Sequence, residues 1–271
     1  MYFRRKIDQE LDDWLKKENR SPALLVGIRQ CGKTEAVREF GKRNHLQLVE
    51  MNFWTDKDFC SDFENSLEVD TLISNISLRF PQIDFGSKNT LIFFDENQDC
   101  PRARLSFKNF KNDGRYLVIG SGSYLGINGY VIGDTTPTPI GYEDIFPMKT
   151  MDFEEFLWAL GYKDKQIDNL LSYFYDKKPI PDSIHQIFKS QFLKYACLGG
   201  FPKVIKEYLR TQRIIDAYQI LNSTAFDMKS DFGRRKDKNG DPIFKPAEVS
   251  RIQSVFDLIP TFLAKENKRF I

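Results

Sequence analysis

The segment from Gly27 to Thr34 reads Gly-Ile-Arg-Gln-Cys-Gly-Lys-Thr and matches the phosphate-loop pattern GxxxxGK[ST]. Its glycines let the backbone curve around a polyphosphate, so that successive N–H groups point at the phosphate oxygens. Lys33 is expected to reach the β- and γ-phosphates of a nucleotide, and the Thr34 hydroxyl to bind Mg²⁺. The residues predicted to bind nucleotide are Gly27, Gln30, Cys31, Gly32, Lys33, Thr34 and Glu35.

A second motif is the apolar run Leu91–Phe94, which ends in the two carboxylates Asp95 and Glu96. A strand with this ending places Asp95 at the carboxyl edge of a sheet, where α/β folds bind their ligands. We therefore predict Asp95 as a second Mg²⁺ ligand and Glu96 as the base that polarises the attacking water. The pair favours an ATPase with a dedicated catalytic glutamate over a GTPase, and the guanine-recognition pattern NKxD does not occur.

A third candidate lies after the apolar run Tyr116–Ile119, which continues into Gly-Ser-Gly-Ser up to Ser123. We expect this strand between the phosphate-loop strand and the Asp95 strand, so a hydroxyl at its tip can sense the γ-phosphate. Ser123 is assigned to the catalytic set with Lys33 and Glu96. Ser121 is the alternative, and a flexible turn without catalytic role is also compatible with the pattern.

Strands that alternate with helices predict a parallel α/β sheet with helices on both faces, the P-loop NTPase fold. The predicted strands span 23–26, 46–53, 90–94 and 116–119, and the predicted helices 1–20, 34–43 and 56–78, with another around 105–110. A hairpin and a last strand near 140–145 are expected within the glycine- and proline-rich segment 128–147. Tyr2 and Trp14, before the first strand, are expected either in the core or beside the adenine.

After residue 148 the pattern is helical only, with predicted helices at 152–160, 166–175, 184–196, 203–208, 212–228 and 247–263. A polar stretch, 231–241, is expected to be an exposed loop. The chain is therefore divided into an ATPase core, 1–148, and a helical domain, 149–271.

Composition places the chain among ordinary globular proteins, with 41% hydrophobic and 29% charged residues and a net charge of +2. The charge balance gives no sign of a nucleic-acid or acidic-membrane partner, and no apolar run approaches a membrane span. We expect a cytoplasmic protein. Its four cysteines lack any CxxC spacing and are predicted to be reduced and individually buried or half-buried, and its two histidines to have surface or structural roles.

Five motifs in this order resemble the prokaryotic family of predicted AAA-type ATPases that carry a C-terminal domain of unknown function. They are the segments 27–34, 91–98, 122–126, 146–148 with 153–157, and 199–202. The resemblance covers nearly the whole chain. It implies an AAA-type core, ATP and Mg²⁺ as ligands, and the roles already given to Lys33, Thr34, Asp95 and Glu96.

The chain departs from the family pattern at Cys31 and Asn97, where valine and isoleucine are usual. Both positions are peripheral to the phosphate chemistry. Members of the family usually run further, so we expect that most of a C-terminal domain is missing here and that apolar surface near Phe270 and Ile271 is exposed.

The leading hypothesis is an ATPase that binds Mg·ATP and couples its nucleotide state to movement of the helical domain. One alternative is a nucleotide-gated binding or signalling module with little turnover. Another is a DNA-associated ATPase, which rests on family analogy and the basic cluster 234–236. A protein or DNA partner and a homo-oligomer are both compatible with the sequence, and Arg102, Arg104 and Arg115 are ambiguous as arginine fingers.

Overall fold

Parallel strands form the centre of the computed structural model, which describes residues 1–86, 89–123, 141–234, 242 and 244–264. Within these residues the strands are β1 (Ala23–Val26), β2 (Gln47–Asn52), β3 (Thr90–Asp95), β4 (Leu117–Gly122) and β5 (Asp144–Pro147). They form one sheet in the order β2-β3-β4-β1-β5, and every pair is parallel. The fold class is confirmed, and β4 lies between the phosphate-loop strand and the Asp95 strand as predicted.

The central strands β1, β3 and β4 are buried at every position, which explains their apolar runs, whereas the edge strands β2 and β5 are partly exposed. Successive side chains alternate between the faces, so Leu24 and Phe94 belong to one core while Leu25 and Phe93 belong to the other. The 3₁₀ helix Lys57–Phe63 and the helices α3 (Val69–Arg79), α4 (Pro101–Leu105) and α5 (Phe107–Asp113) cover the first face. The helices α1 (Lys6–Leu15) and α2 (Lys33–Arg43) cover the second.

The predicted helix 56–78 is wrong as a single element, because a 3₁₀ helix and α3 replace it. Asp56 caps the 3₁₀ helix by accepting a hydrogen bond from the Asp58 N–H, and the intervening segment 64–68 contains Asn65 and Ser66. Side chains of these types compete for backbone hydrogen bonds and favour turns over helix continuation. The predicted helix 1–20 is also too long, since α1 ends at Leu15.

Trp14 takes the core alternative. Its indole is buried against Phe40, and its N–H donates to the Ser21 carbonyl at 2.9 Å. The prediction of buried or half-buried cysteines is confirmed for Cys31 and Cys100, which are buried, and for Cys60, which is half-buried. Cys197 is exposed, so the prediction is wrong for this residue.

Helices alone follow β5 in the described residues: α6 (Phe153–Ala159), α7 (Asp164–Tyr175), α8 (Asp182–Leu198), α9 (Pro202–Thr211), α10 (Ile214–Arg234) and α11 (Pro246–Ala264). A third core joins Phe3 to residues of this region, among them Met151, Phe156, Ile205 and Tyr208. No helix in the described part of the chain combines the length and apolar character of a membrane span.

Two further predictions concern loops. The last strand spans Asp144–Pro147 rather than 140–145, and the hairpin expected before it, from residue 128 on, falls outside the described residues. The prediction of a polar loop over 231–241 is wrong for its first four residues, because α10 continues through Arg234. The ion pair between Asp231 and Arg29, described below, gives that last turn of α10 a partner that helical periodicity does not reveal.

Candidate functional site

The phosphate loop connects β1 to α2 at the carboxyl edge of the sheet, beside the point where the strand order reverses. Gly32 precedes α2 with a φ of 101°, a conformation that favours glycine. A Cβ on Gly27 would lie 2.1 Å from the Met148 carbonyl oxygen, so only glycine allows the chain after β5 to pass so closely. These two backbone requirements explain the glycines of the motif without reference to nucleotide.

Lys33 is buried in this loop, and its ammonium group donates to the carbonyl oxygens of Gly27 and Ile28, both at 3.1 Å. Within the described residues it forms no ion pair with a carboxylate. A buried cation without a counter-ion is costly unless an anionic ligand supplies the charge. The loop is therefore arranged to receive an anion.

Asp95 lies at the tip of β3 and is the centre of a hydrogen-bond cluster. Its Oδ2 accepts from the Thr34 hydroxyl at 2.9 Å and from the Asn52 amide at 3.0 Å, while its Oδ1 accepts from the Ser121 hydroxyl. Burial raises the pKa of this carboxyl, and the hydrogen bonds from Ser121 and Thr34 act in the opposite direction. The cluster brings Thr34 and Asp95, the two predicted metal ligands, into contact.

Glu96 follows with a left-handed backbone (φ 58°, ψ 49°) and is only partly buried. Its carboxylate accepts a hydrogen bond from the Gln98 amide, which also donates to Asp99 at 3.2 Å. The pKa of the Asp99 carboxyl is raised to about 6. The main cause is desolvation by burial, and the negative charge of Glu96 adds to it. The edge of the sheet thus holds a second, acidic cluster beside the Asp95 cluster.

The two candidate serines at the tip of β4 differ in what they contact. The Ser121 hydroxyl reaches Asp95, whereas the backbone N–H of Ser123 donates to the Gln98 side chain at 3.3 Å. Ser121, the alternative in the sequence analysis, is thus the serine whose side chain joins the Asp95 cluster. Ser123 is buried next to the acidic cluster.

The remaining predicted nucleotide-binding residues lie in the loop or at the start of α2. Cys31 is fully buried, and burial raises the pKa of its thiol. The Glu35 side chain pairs with Arg38 at 2.6 Å on the exposed face of α2, so the backbone N–H is the group that it can offer to phosphate. The Gln30 side chain turns out of the loop toward α10.

A family model described as an AAA domain matches residues 19–157, slightly more than half of the chain. The chain belongs to the AAA domain family. The match spans β1 to β5 and includes the phosphate loop and both clusters. At the level of its family the protein is thus an ATP-binding P-loop ATPase.

Among solved structures, the chain is similar to the Walker-type ATPase PABY2304 of Pyrococcus abyssi. The two are 15% identical with a TM-score of 0.45, and the similarity covers 97% of this chain and 78% of that chain. None of the curated proteins matches the sequence.

Sequence reasoning missed several residues that contact the site. Asn52 and Gln98 bind the carboxylates of Asp95 and Glu96, and Arg5 donates to the Cys31 carbonyl at 2.9 Å from behind the loop. Asn52 could have been predicted, because it is a polar residue at the end of β2, the strand next to β3. Arg5 gave no signal, because a single arginine before a helix resembles any surface charge.

The three ambiguous arginines are all engaged within the chain. Arg102 donates to the Phe63 carbonyl, Arg104 pairs with the buried Glu143, and Arg115 pairs with Asp113 and Asp70. The basic cluster 234–236 lies largely outside the described residues.

Proposed function

We propose that the protein hydrolyses ATP in a Mg²⁺-dependent reaction at the phosphate loop and couples its nucleotide state to the helical region. The observation that carries this proposal is the buried Lys33 ammonium group, which has only backbone carbonyls as partners and lies beside the Asp95 cluster. ATP phosphates would replace those carbonyls as charge-assisted partners. Successive N–H groups of the loop and the first turn of α2 would bind the remaining oxygens.

Thr34 and Asp95 are the residues that would hold Mg²⁺. One hydroxyl and one carboxylate, 2.9 Å apart, form the hard oxygen donor set that this ion prefers, and such sites leave its other positions to water and phosphate. When bound, the ion would neutralise charge on the phosphates. Asn52 and Ser121 hold the Asp95 carboxylate in a fixed orientation toward Thr34.

Glu96 is the proposed general base. Its carboxylate lies one residue beyond Asp95 and keeps access to solvent, so a water molecule can donate a proton to it as the water attacks the γ-phosphate. Ser123, at the tip of β4, is the proposed neighbour of the reacting phosphate, with Ser121 as the alternative.

The contacts between the phosphate loop and α10 support the coupling. Arg29 pairs with Asp231 at 2.9 Å, and the Gln30 amide contacts Asp227 and Thr224, both at 3.3 Å. Arg29 and Gln30 lie between the two glycines that wrap the phosphates, so filling the loop would alter these contacts. We propose that regions 1–148 and 149–271 act as two units that communicate through them.

Turnover measurements with and without Mg²⁺ test the proposal. Glu96→Gln keeps the size of the side chain but removes the base, so the hydrolysis rate should fall by roughly 10²–10⁴ while ATP binding survives. Lys33→Ala removes charge-assisted contacts and should weaken ATP affinity at least about tenfold by calorimetry. Lys42→Ala, at the exposed end of the same helix, is the matched control and should change neither quantity.

The outcomes separate the competing functions. Nucleotide binding that depends on Lys33, without measurable turnover, would favour the nucleotide-gated binding module. Unchanged affinity in Lys33→Ala would contradict the assignment of the phosphate loop itself. A Glu96→Gln variant that hydrolyses ATP at the wild-type rate would move the base to another residue.

A further inference from the structure

We propose that Gln98 is a positioning residue that holds the Glu96 carboxylate in place by linking it to the tip of β4. This inference rests on the proposed function, because it assigns Gln98 a part in the same hydrolysis. Its basis is the set of three hydrogen bonds that one side-chain amide makes at the edge of the sheet. The amide nitrogen donates to Glu96 and to Asp99, and the amide oxygen accepts from the backbone N–H of Ser123.

The orientation of this amide is fixed by the chemistry of its partners. Ionised carboxylates only accept hydrogen bonds, and a backbone N–H only donates one. A flipped Gln98 amide would place its oxygen against both carboxylates and its NH₂ group against the Ser123 N–H. Only one orientation of the Gln98 amide therefore satisfies all three hydrogen bonds. In that orientation the amide links the tip of β3 to the tip of β4.

The local backbone explains why Glu96 needs such support. Its left-handed conformation turns the chain out of β3 into the short 3₁₀ turn Asn97–Asp99, which brings Gln98 back toward the Glu96 side chain. Glutamate has three rotatable side-chain bonds, and Glu96 is not enclosed by the core. Gln98 engages its Oε2, while its Oε1 has no hydrogen-bond partner in the described part of the chain and is the oxygen available to a water proton.

The link to Ser123 connects Glu96 to the nucleotide side of the sheet. Ser123 directly follows β4, which pairs with β1 before the phosphate loop and with β3 before Asp95. A displacement of the β4 tip therefore moves the Gln98 amide oxygen, which accepts from the Ser123 N–H. The amide nitrogen moves with it and carries the Glu96 carboxylate along. Gln98 acts on the reaction only through Glu96 and contacts no phosphate in this arrangement.

Two substitutions of Gln98 test the inference by steady-state ATP hydrolysis. Gln98→Met keeps the approximate length and removes every hydrogen bond, and Gln98→Glu keeps the shape but replaces the donor with a charge that repels Glu96 and Asp99. Both variants should lower kcat by about tenfold or more, whereas KM and the Kd for a non-hydrolysable ATP analogue should stay within about twofold of wild type. Both variants should still fold, because Gln98 is only partly buried, and the loss of its hydrogen bonds should lower the melting temperature by only a few degrees. If Gln98→Met fails to fold, the polar Gln98→Glu variant still gives the answer.

Gln9→Met is the matched control, because the Gln9 amide also donates to a carboxylate, that of Asp13, on the exposed side of α1. Its kcat should equal that of wild type. Wild-type kcat in both Gln98 variants, or a loss that appears in KM and the analogue Kd instead, would overturn the positioning role. Glu96→Gln, measured in parallel, identifies a failure of the proposed function: if that variant hydrolyses ATP normally, Glu96 is not the base and the inference falls with it.

Discussion

At the scale of single residues, two side chains near the end of β3 differ in whether their polar atoms have hydrogen-bond partners. Asp95 accepts from Thr34, Asn52 and Ser121, whereas Asn97, two positions later, is buried without a partner for either amide atom in the described residues. Its Nδ2 lies against the backbone of Gly120, inside β4. A buried polar group without a partner costs about 1–3 kcal/mol. Asn97 thus lowers the stability of the fold locally, whereas the neighbouring Asp95 cluster is fully hydrogen-bonded.

We therefore predict that Asn97→Leu stabilises the protein. Leucine has a similar branched shape without polar atoms, so the free energy of unfolding should rise by about 1–3 kcal/mol in urea titrations. The resemblance noted above points the same way, since isoleucine is usual at this position.

The same substitution at Asn109 serves as the control for Asn97→Leu. The Asn109 amide donates to the Leu67 carbonyl at 2.5 Å, so Asn109→Leu should lower the free energy of unfolding by about 0.5–1.5 kcal/mol. A destabilised Asn97→Leu variant would mean that the pocket against Gly120 is too small for two methyl groups.

At the scale of elements, α10 presents one polar stripe to the phosphate loop. Thr224, Asp227 and Asp231 follow one another by three and four residues, the spacing of one helix face, and all three contact Arg29 or Gln30. Two of these side chains are carboxylates, so α10 brings negative charge to the loop that is to bind phosphates. The carboxylates on this face of α10 should therefore repel the ATP phosphates and weaken nucleotide binding.

Asp231→Asn is expected to tighten the binding of a non-hydrolysable ATP analogue. The ion pair with Arg29 is partly exposed and contributes about 1 kcal/mol, so its loss should lower Kd by up to about fivefold in calorimetric titrations. Glu207→Gln, which breaks an exposed ion pair with Arg210 on α9, should leave Kd unchanged. Weaker binding in Asp231→Asn would mean that the α10 contact supports the nucleotide-bound state instead.

The elements also explain which parts of the fold could be predicted from sequence. The phosphate loop and the strands β1, β3 and β4 have local signals, because glycine spacing and apolar runs reflect backbone geometry and burial on both faces. The end of α10 has no such signal, because Asp231 contacts Arg29 about two hundred residues earlier. The role of Gln98 could not be read either, since it depends on β4 lying next to β3 in space.

At the scale of the whole molecule, a buried ion pair joins the start of the chain to the helical region. Arg5 and Glu155 are each 5% exposed, and an Arg5 nitrogen lies 3.0 Å from the Glu155 carboxylate. Arg5 also donates to the carbonyls of Cys31, in the phosphate loop, and Lys149, after β5. Glu155 accepts from the backbone N–H groups of Lys6 and Asp152 and thereby caps α6. The pair therefore stabilises the junction between the sheet and the helices.

Arg5→Met should be strongly destabilising, because it leaves Glu155 buried without its partner, a change that typically costs about 3–5 kcal/mol. The double variant Arg5→Met/Glu155→Leu removes both charges and should be more stable than Arg5→Met alone, although the Cys31 and Lys149 carbonyls still lose a donor. Urea unfolding followed by tryptophan fluorescence and by circular dichroism gives both free energies and reveals whether the sheet and the helices still unfold together. Arg115→Met, which breaks an exposed pair with Asp113, should leave the free energy of unfolding close to that of wild type. A double variant no more stable than Arg5→Met would mean that the hydrogen bonds to the two carbonyls, rather than the ion pair, hold the junction together.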